Sequence, residues 1–228
     1  MKVVLSRKGM DSRAGGIPSP ILPDGTLLSL PIPNEKSGVP YGDLVYKGRT
    51  YQQIIQQIHP TFDFQKHPFC HLDPDIYGVL KNTHAGWKPA FGQYEIPAKH
   101  LDGQGVDVGD VFLFYGMFRQ TEKLPDGTLH FVKSAPIQHI IYGYMVVSEI
   151  LKDQDKIKEL YPWHPHAAST EHRTTASTSL RTTACSRTVI LSFSVNRASR
   201  TVGFGICLLS APLVTSSFLG RVRIPPCW

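Results

Sequence analysis

Between Ile17 and Pro33 the chain reads IPSPILPDGTLLSLPIP, with prolines at 18, 20, 23, 31 and 33. Proline has no backbone N–H and clashes with the preceding turn of a helix, so this stretch is not helical. Pro23-Asp24-Gly25 is a tight-turn sequence: proline presets the turn's first φ and glycine accepts the left-handed residue. The expectation is a hairpin of Ile21–Leu22 with Leu27–Pro31, at a sheet edge because central ladders exclude proline. The hexamer LPDGTL recurs at 124–129, between VFLFYGMFR and LHFVKSAP. That predicts a second hairpin built on a reused turn.

The rest of the pattern is mixed. Val3–Leu5 reads as a short buried strand, and 43–46 as another, followed by a turn at Lys47-Gly48. A helix follows, with Thr50 as N-cap, Ile54, Ile55 and Ile58 as its apolar stripe, and Pro60 ending it. Asp73, Pro74 and Asp75 have the form of a second helix start: N-cap, proline at the first helical position, then an acid. VDVGDVFLFYGMFR and HIIYGYMVVSEI are long strands rich in aromatic and β-branched residues. LKDQDKIKEL is a short amphipathic helix before Pro162. Strands joined mainly by hairpins imply an α+β fold with a mainly antiparallel sheet and a few short helices.

The formal net charge of +6 would fit a nucleic-acid binder, but it is unevenly spread. Residues 1–171 hold 17 Lys+Arg against all 18 Asp+Glu, a net of −1. The other seven cations, all arginine, lie after Glu171, so the basicity belongs to the last segment and not to the body. That segment opens HRTTASTSLRTTACSRT and carries Cys185, Cys207 and Cys227, without acid or lysine. The domain organisation expected is therefore a body of residues 1–167 and an atypical Ser/Thr/Arg-rich tail of 168–228. Two readings of the tail stand: a disordered segment, or the product of a shifted reading frame. Its cysteines lack metal-site spacing. No apolar run reaches bilayer length and the start is too weakly apolar for a secretory signal, so no membrane partner is expected and the cytoplasm is the default location.

The stretch with the densest mixture of polar chemistry is SRKGMDSRAGG, residues 6–16, directly after the first strand. A strand running into a glycine-containing loop is one way to turn backbone N–H groups toward a phosphate. Ser6, Arg7, Lys8, Gly9, Ser12, Gly15 and Gly16 are read as the phosphate- or nucleotide-binding set, the cations adding charge-assisted bonds. Asp11 repels an anion, which makes it a candidate for chemistry instead. There is no Walker A pattern.

His71, Asp73 and Asp75 alternate in CHLDPD, so an extended backbone would place them on one face, where a further histidine would complete a divalent-metal set. The helix start already explains both acids by the helix dipole, so no metal site is expected, and no cofactor is identified. His164 and His166 form a second alternating pair beside Trp163. On the aromatic strand, Phe112 and Phe114 read as core, while Tyr115, Phe118 and Arg119 at its far end have the composition of a base-stacking surface.

Taken together, KVVLSRKGMDSRAGGIPSPILPDGTLLSLPIP, CHLDPD, FGQ at 91–93, VGDVFLFYGMFR, IIYGYMVV and WHPHA resemble a bacterial and phage family, nucleotide modification associated domain 3, over about residues 1–167. The resemblance implies a link to systems that modify or process bases in DNA and carries over no reaction. Its recurrent polar positions fall on Ser6, Arg7, Lys8, Asp11, Ser12, His71, Asp73, Gln93, Arg119, His139, His164 and His166. No catalytic residue is carried over from the resemblance; Asp11, His71, Asp73 and His139 are the catalytic candidates, Arg119 joins the nucleotide-binding set, and Gln93, Tyr115, His164 and His166 are further candidates. The two long strands are also similar to those of PUA-like, ASCH and EVE domains, which implies a partly closed barrel as the alternative to an open sheet.

Two functions are compatible with these residues. One is an enzyme, or an accessory protein, of nucleotide or DNA-base modification with its phosphate loop at 6–16. The other is a non-catalytic PUA-like module that recognises a modified base or nucleic acid. Either way the expected partner is a nucleotide or DNA. An enzyme requires Asp11, His71 or His139 beside the opening loop, whereas a reader requires an exposed aromatic pocket.

Overall fold

In a computed structural model of the chain, residues 1–168, 188–194 and 213–215 are described. Thirteen strands and four helices lie in those ranges. They are β1 (Val3–Arg7), β2 (Ser19–Ile21), β3 (Ile32–Pro33), β4 (Val39–Pro40), β5 (Val45–Tyr46), β6 (Arg49–Thr50), α1 (Tyr51–Ile58), β7 (Phe69–His71), β8 (Ala90–Tyr94) and α2 (Glu95–Gly103). There follow β9 (Val111–Lys123), β10 (Leu129–Phe131), β11 (Gln138–Leu151), α3 (Gln154–Leu160), α4 (Pro165–Ala168), β12 (Thr188–Ser194) and β13 (Leu213–Thr215). No helix among the described residues is long and apolar enough to cross a membrane.

The expected antiparallel sheet or PUA-like barrel is not what forms. The main sheet is mixed and open, with strand order β13-β1-β9-β11-β12-β8, while β2 and β10 add to β9 off that path. β1 runs parallel to β9, with Ser6 opposite Phe114 and Arg7 opposite Tyr115, and β2 and β13 are parallel additions. In this sheet β9–β11, β9–β10, β11–β12 and β12–β8 are antiparallel, as are the pairs of two small separate sheets, β3-β7-β4 and β5-β6. Turn signals report which strands are joined by short loops. They carry no information on β1 pairing with a strand about a hundred residues away. The first proline hairpin contracts accordingly: β2 meets Leu27 through a single bridge at Ile21, and Leu28 and Leu30 are buried without strand pairing. The second hairpin forms as β9–β10, closed by Leu124 N–H to the Thr128 carbonyl.

β9 alternates, burying Phe112, Phe114 and Phe118 while their neighbours are less buried. Phe112 and Phe114 pack with Phe91, Val4, Met145, Val147, Ala98 and Leu101 into a core between the sheet and α2. A second core gathers Met10, Leu28, Leu30, Tyr41, Tyr51, Ile55 and Cys70 beneath α1. α1 carries the capping box anticipated in part: Thr50 Oγ1 accepts from Gln53 N–H, and the Gln53 side chain accepts from Thr50 N–H. A third, smaller cluster of Ala90, Leu151, Ile157, Tyr161 and Ala167 holds α3 and α4 against the sheet. The chain from β1 to β2 spans the first two cores, since Met10 belongs to one and Lys8 lies over Phe91 of the other.

No helix begins at Asp73. Residues 72–80 form irregular turns, in which the Asp75 carboxylate accepts from the N–H groups of Val79 and Leu80. Asp75 therefore satisfies a loop, and Asp73 is released for another use. The expectation of a poorly packed tail falls mostly outside the described residues. Within them, β12 pairs with both β11 and β8, and β13 pairs with β1.

Candidate functional site

After Arg7 the chain leaves β1 by crossing Gly116 on β9, where a Cβ would lie 2.7 Å from the Lys8 carbonyl. Lys8 N–H still donates to the Tyr115 carbonyl, and Met10 N–H to that of Leu30. Asp11 then organises the turn. Its Oδ1 accepts from the N–H groups of Arg13 and Ala14, and its Oδ2 pairs with the Arg7 guanidinium at 2.8 Å. The N–H groups of Asp11, Ala14 and Gly16 bond to carbonyls inside the loop. The N–H groups of Lys8, Met10, Asp11, Arg13, Ala14 and Gly16 are thus already used inside the protein, so any anion affinity has to come chiefly from the Arg7 and Lys8 side chains. The guanidinium has five donors and keeps several beyond Asp11.

The Lys8 ammonium sits 4.2 Å from the centroid of the fully buried Phe91 ring. Burial lowers its pKa from the ordinary lysine value, and the nearby Asp73 carboxylate works against that shift. Asp73 follows β7 and is buried, with no exposure of its side chain. Three imidazoles surround it. His164 Nε2 stands 3.3 Å from Oδ1, His166 Nε2 3.3 Å from Oδ2, and His71 Nε2 3.8 Å from Oδ2. Gly92 N–H donates to Oδ1 at 3.1 Å, whereas neither Oδ2 nor His164 Nε2 makes a hydrogen bond of good geometry. Burial alone would raise the Asp73 carboxyl, but Lys8 and the histidines outweigh it and hold it well below the usual carboxylate range. Burial holds His71 and His166 below the ordinary histidine value, with Asp73 opposing.

The tripeptide FGQ at 91–93 is explained by this arrangement. Phe91 underlies Lys8. Gly92 gives its N–H to Asp73, and its missing side chain makes room for two rings: a Cβ there would lie 2.4 Å from His166 Cδ2 and 2.7 Å from His164 Cε1. Gln93 faces a cavity of about 600 Å³ between the opening loop and the Asp73 segment. α3 and α4 deliver the histidine pair, with His166 N–H donating to His164 Nδ1 at 3.3 Å and the two rings stacked.

Ser6, Arg7, Lys8, Gly9 and Asp11 line that cavity together with His71, Asp73 and Gln93. His164 and His166 back Asp73 from the α4 side. The remaining candidates are elsewhere. Arg119 clasps the β10–β11 connection, donating to the carbonyls of Val132, Lys133 and Ala135. His139 is exposed on β11 opposite Met117. Ser12 and Gly16 are exposed in the turn, and Gly15 packs against Met10. Tyr115 is half-buried in mid-sheet, and Phe118 is buried against Tyr142. The base-stacking surface expected from these residues is not formed there. Sequence reasoning missed Tyr142 and His100, which also line the cavity. Tyr142 falls in a strand read for its apolar and aromatic pattern, and His100 in a helix that the sequence reading did not assign.

A family model, nucleotide modification associated domain 3, matches residues 2–205. No curated protein and no solved structure matches the chain.

Proposed function

The chain belongs to the nucleotide modification associated domain 3 family, and on that premise we propose that it is an enzyme acting on a nucleotide or on a base in DNA. The observation that carries the reading is convergence: two cations suited to phosphate, Arg7 and Lys8, share one cavity with a buried carboxylate–histidine group, Asp73 with His71. A phosphate-binding loop does no chemistry by itself. Groups able to move a proton within the same cavity are what a reaction centre adds.

The cavity, at about 600 Å³, lies within the range of sites for ligands of nucleotide size. In this reading the phosphate lies against Arg7 and Lys8, and Gln93 and the Tyr142 phenol offer hydrogen bonds to sugar or base. Asp73 and His71 face the reacting atom. A base held in duplex DNA would have to leave the stack to enter this cavity. Calorimetric titration of the full chain with deoxynucleoside 5′-monophosphates and with a single-stranded oligonucleotide tests the proposal. Arg7→Ala should weaken binding about tenfold, the equivalent of one charge-assisted hydrogen bond. Absence of binding by the wild type, or equal binding by the variant, would refute it.

A further inference from the structure

We infer that His71, Asp73 and His166 together hold one divalent transition-metal ion at the wall of the cavity. The ligand atoms of these three residues all lie within 4.8 Å of one another. Zinc-type ligands stand about 2.0–2.2 Å from their ion, so modest inward movement of the imidazoles would complete the set. The carboxylate is divided between two tasks. Oδ1 takes the Gly92 N–H and faces His164, whereas Oδ2, wholly buried, makes no hydrogen bond and faces the Nε2 atoms of His71 and His166. A buried carboxylate oxygen without a partner is costly, and an ion between it and the imidazoles removes that cost.

The surroundings are built for such an ion. Gly92 lacks the side chain that would displace His166. His164 accepts the His166 N–H at Nδ1, which places the proton of a neutral His164 on Nε2, toward Oδ1. The hydrogen bond that orients the carboxylate is Gly92 N–H to Oδ1, the kind of support that metal-bound carboxylates commonly receive. Lys8 adds its charge from over the Phe91 ring, without forming a direct ion pair with Asp73. One adjustment is required. His71 Nδ1 lies 3.4 Å from the Asn34 amide nitrogen, so ligation through Nε2 requires Asn34 to turn its oxygen to that atom and to give up the Lys36 N–H that it accepts at 2.8 Å. The contact with His71 is long, and Asn34 is only half-buried. Two imidazoles and one carboxylate favour zinc, iron or cobalt over magnesium or calcium, and three protein ligands leave positions open toward the cavity.

The test needs no nucleotide, so its failure is separable from failure of the enzyme reading. The full chain, with Cys185, Cys207 and Cys227 changed to serine to remove competing thiolates, is stripped with a chelator. It is then titrated with Co²⁺, followed by calorimetry and visible absorption, with Mg²⁺ in parallel. The expected result is one equivalent of Co²⁺, a rise in melting temperature on binding, and affinity at least tenfold lower in His166→Gln and in His71→Gln. His139→Gln should bind as the parent does. Melting of each metal-free variant controls for folding, and His71→Gln, at the cavity rim, decides the matter if His166→Gln does not fold. Lack of stoichiometric uptake, uptake indifferent to His71→Gln, or equal affinity for Mg²⁺ would each overturn the inference.

Discussion

Replacing Gly92 by alanine isolates the packing on which the site depends. The Gly92 backbone is in a conformation open to any residue, so the substitution carries no left-handed strain. Its whole effect comes from the new methyl group, which would lie 2.4 Å from His166 Cδ2, 2.7 Å from His164 Cε1 and 2.9 Å from His166 Cγ. All three are ring atoms of side chains held against the sheet, so relief requires the imidazoles to withdraw from Asp73. Overpacking of this kind costs about 1–3 kcal/mol, and in a chain of this length each kcal/mol lowers Tm by about 2–4 °C. Urea denaturation and calorimetry should show that loss, accompanied by at least tenfold weaker nucleotide binding. Gly103→Ala is the matched control: nothing lies within 4 Å of its Cβ at the end of α2, so it should be neutral or stabilise by up to about 1 kcal/mol. A Gly92→Ala protein of parental stability and affinity would show that the histidines do not pack on this backbone.

Three further outcomes follow from particular contacts. Arg119→Ala removes three N–H to carbonyl bonds and the stacking on Phe131, so it should cost about 1–3 kcal/mol in urea titration while leaving nucleotide affinity unchanged; a lost affinity would return Arg119 to the site. Burial pushes the Cys70 thiol far above its ordinary range, so peptide mapping after iodoacetamide treatment at pH 8 should find it unmodified until the protein is denatured, and rapid native labelling would contradict its burial. β12 is the strand between β11 and β8, so a chain ended at residue 187 should melt at lower temperature and lose nucleotide affinity; an unchanged melt would mean that β8 is held without it.

Local patterns in the sequence were legible where local physics decides the outcome. The Thr50 N-cap and isoleucine stripe of α1, the turn at Lys47-Gly48 and the alternation along β9 all depend on residues a few positions apart. The topology was not legible, because the parallel pairing of β1 with β9 joins elements separated by most of the body. α2 was hidden by Pro97, which reads as a helix breaker yet falls in the first turn, where its missing N–H is not needed. Asp73 was misread for the opposite reason: Asp-Pro-Asp imitates a helix start, while tertiary contacts with β8 and α4 set its actual surroundings. Of the candidate site, the opening loop, His71, Asp73 and Gln93 do meet in one cavity. The role of Gly92 could not be seen, since its purpose is to leave space for residues more than seventy positions later.

The most direct measurement of the central claim is a crystal structure of the full chain bound to a deoxynucleoside monophosphate. The account predicts a phosphate oxygen within about 3 Å of Lys8 Nζ or the Arg7 guanidinium, with the base or sugar turned toward Asp73 and His71. A nucleotide seated outside this cavity, or inside it with its phosphate directed away from both cations, would contradict it.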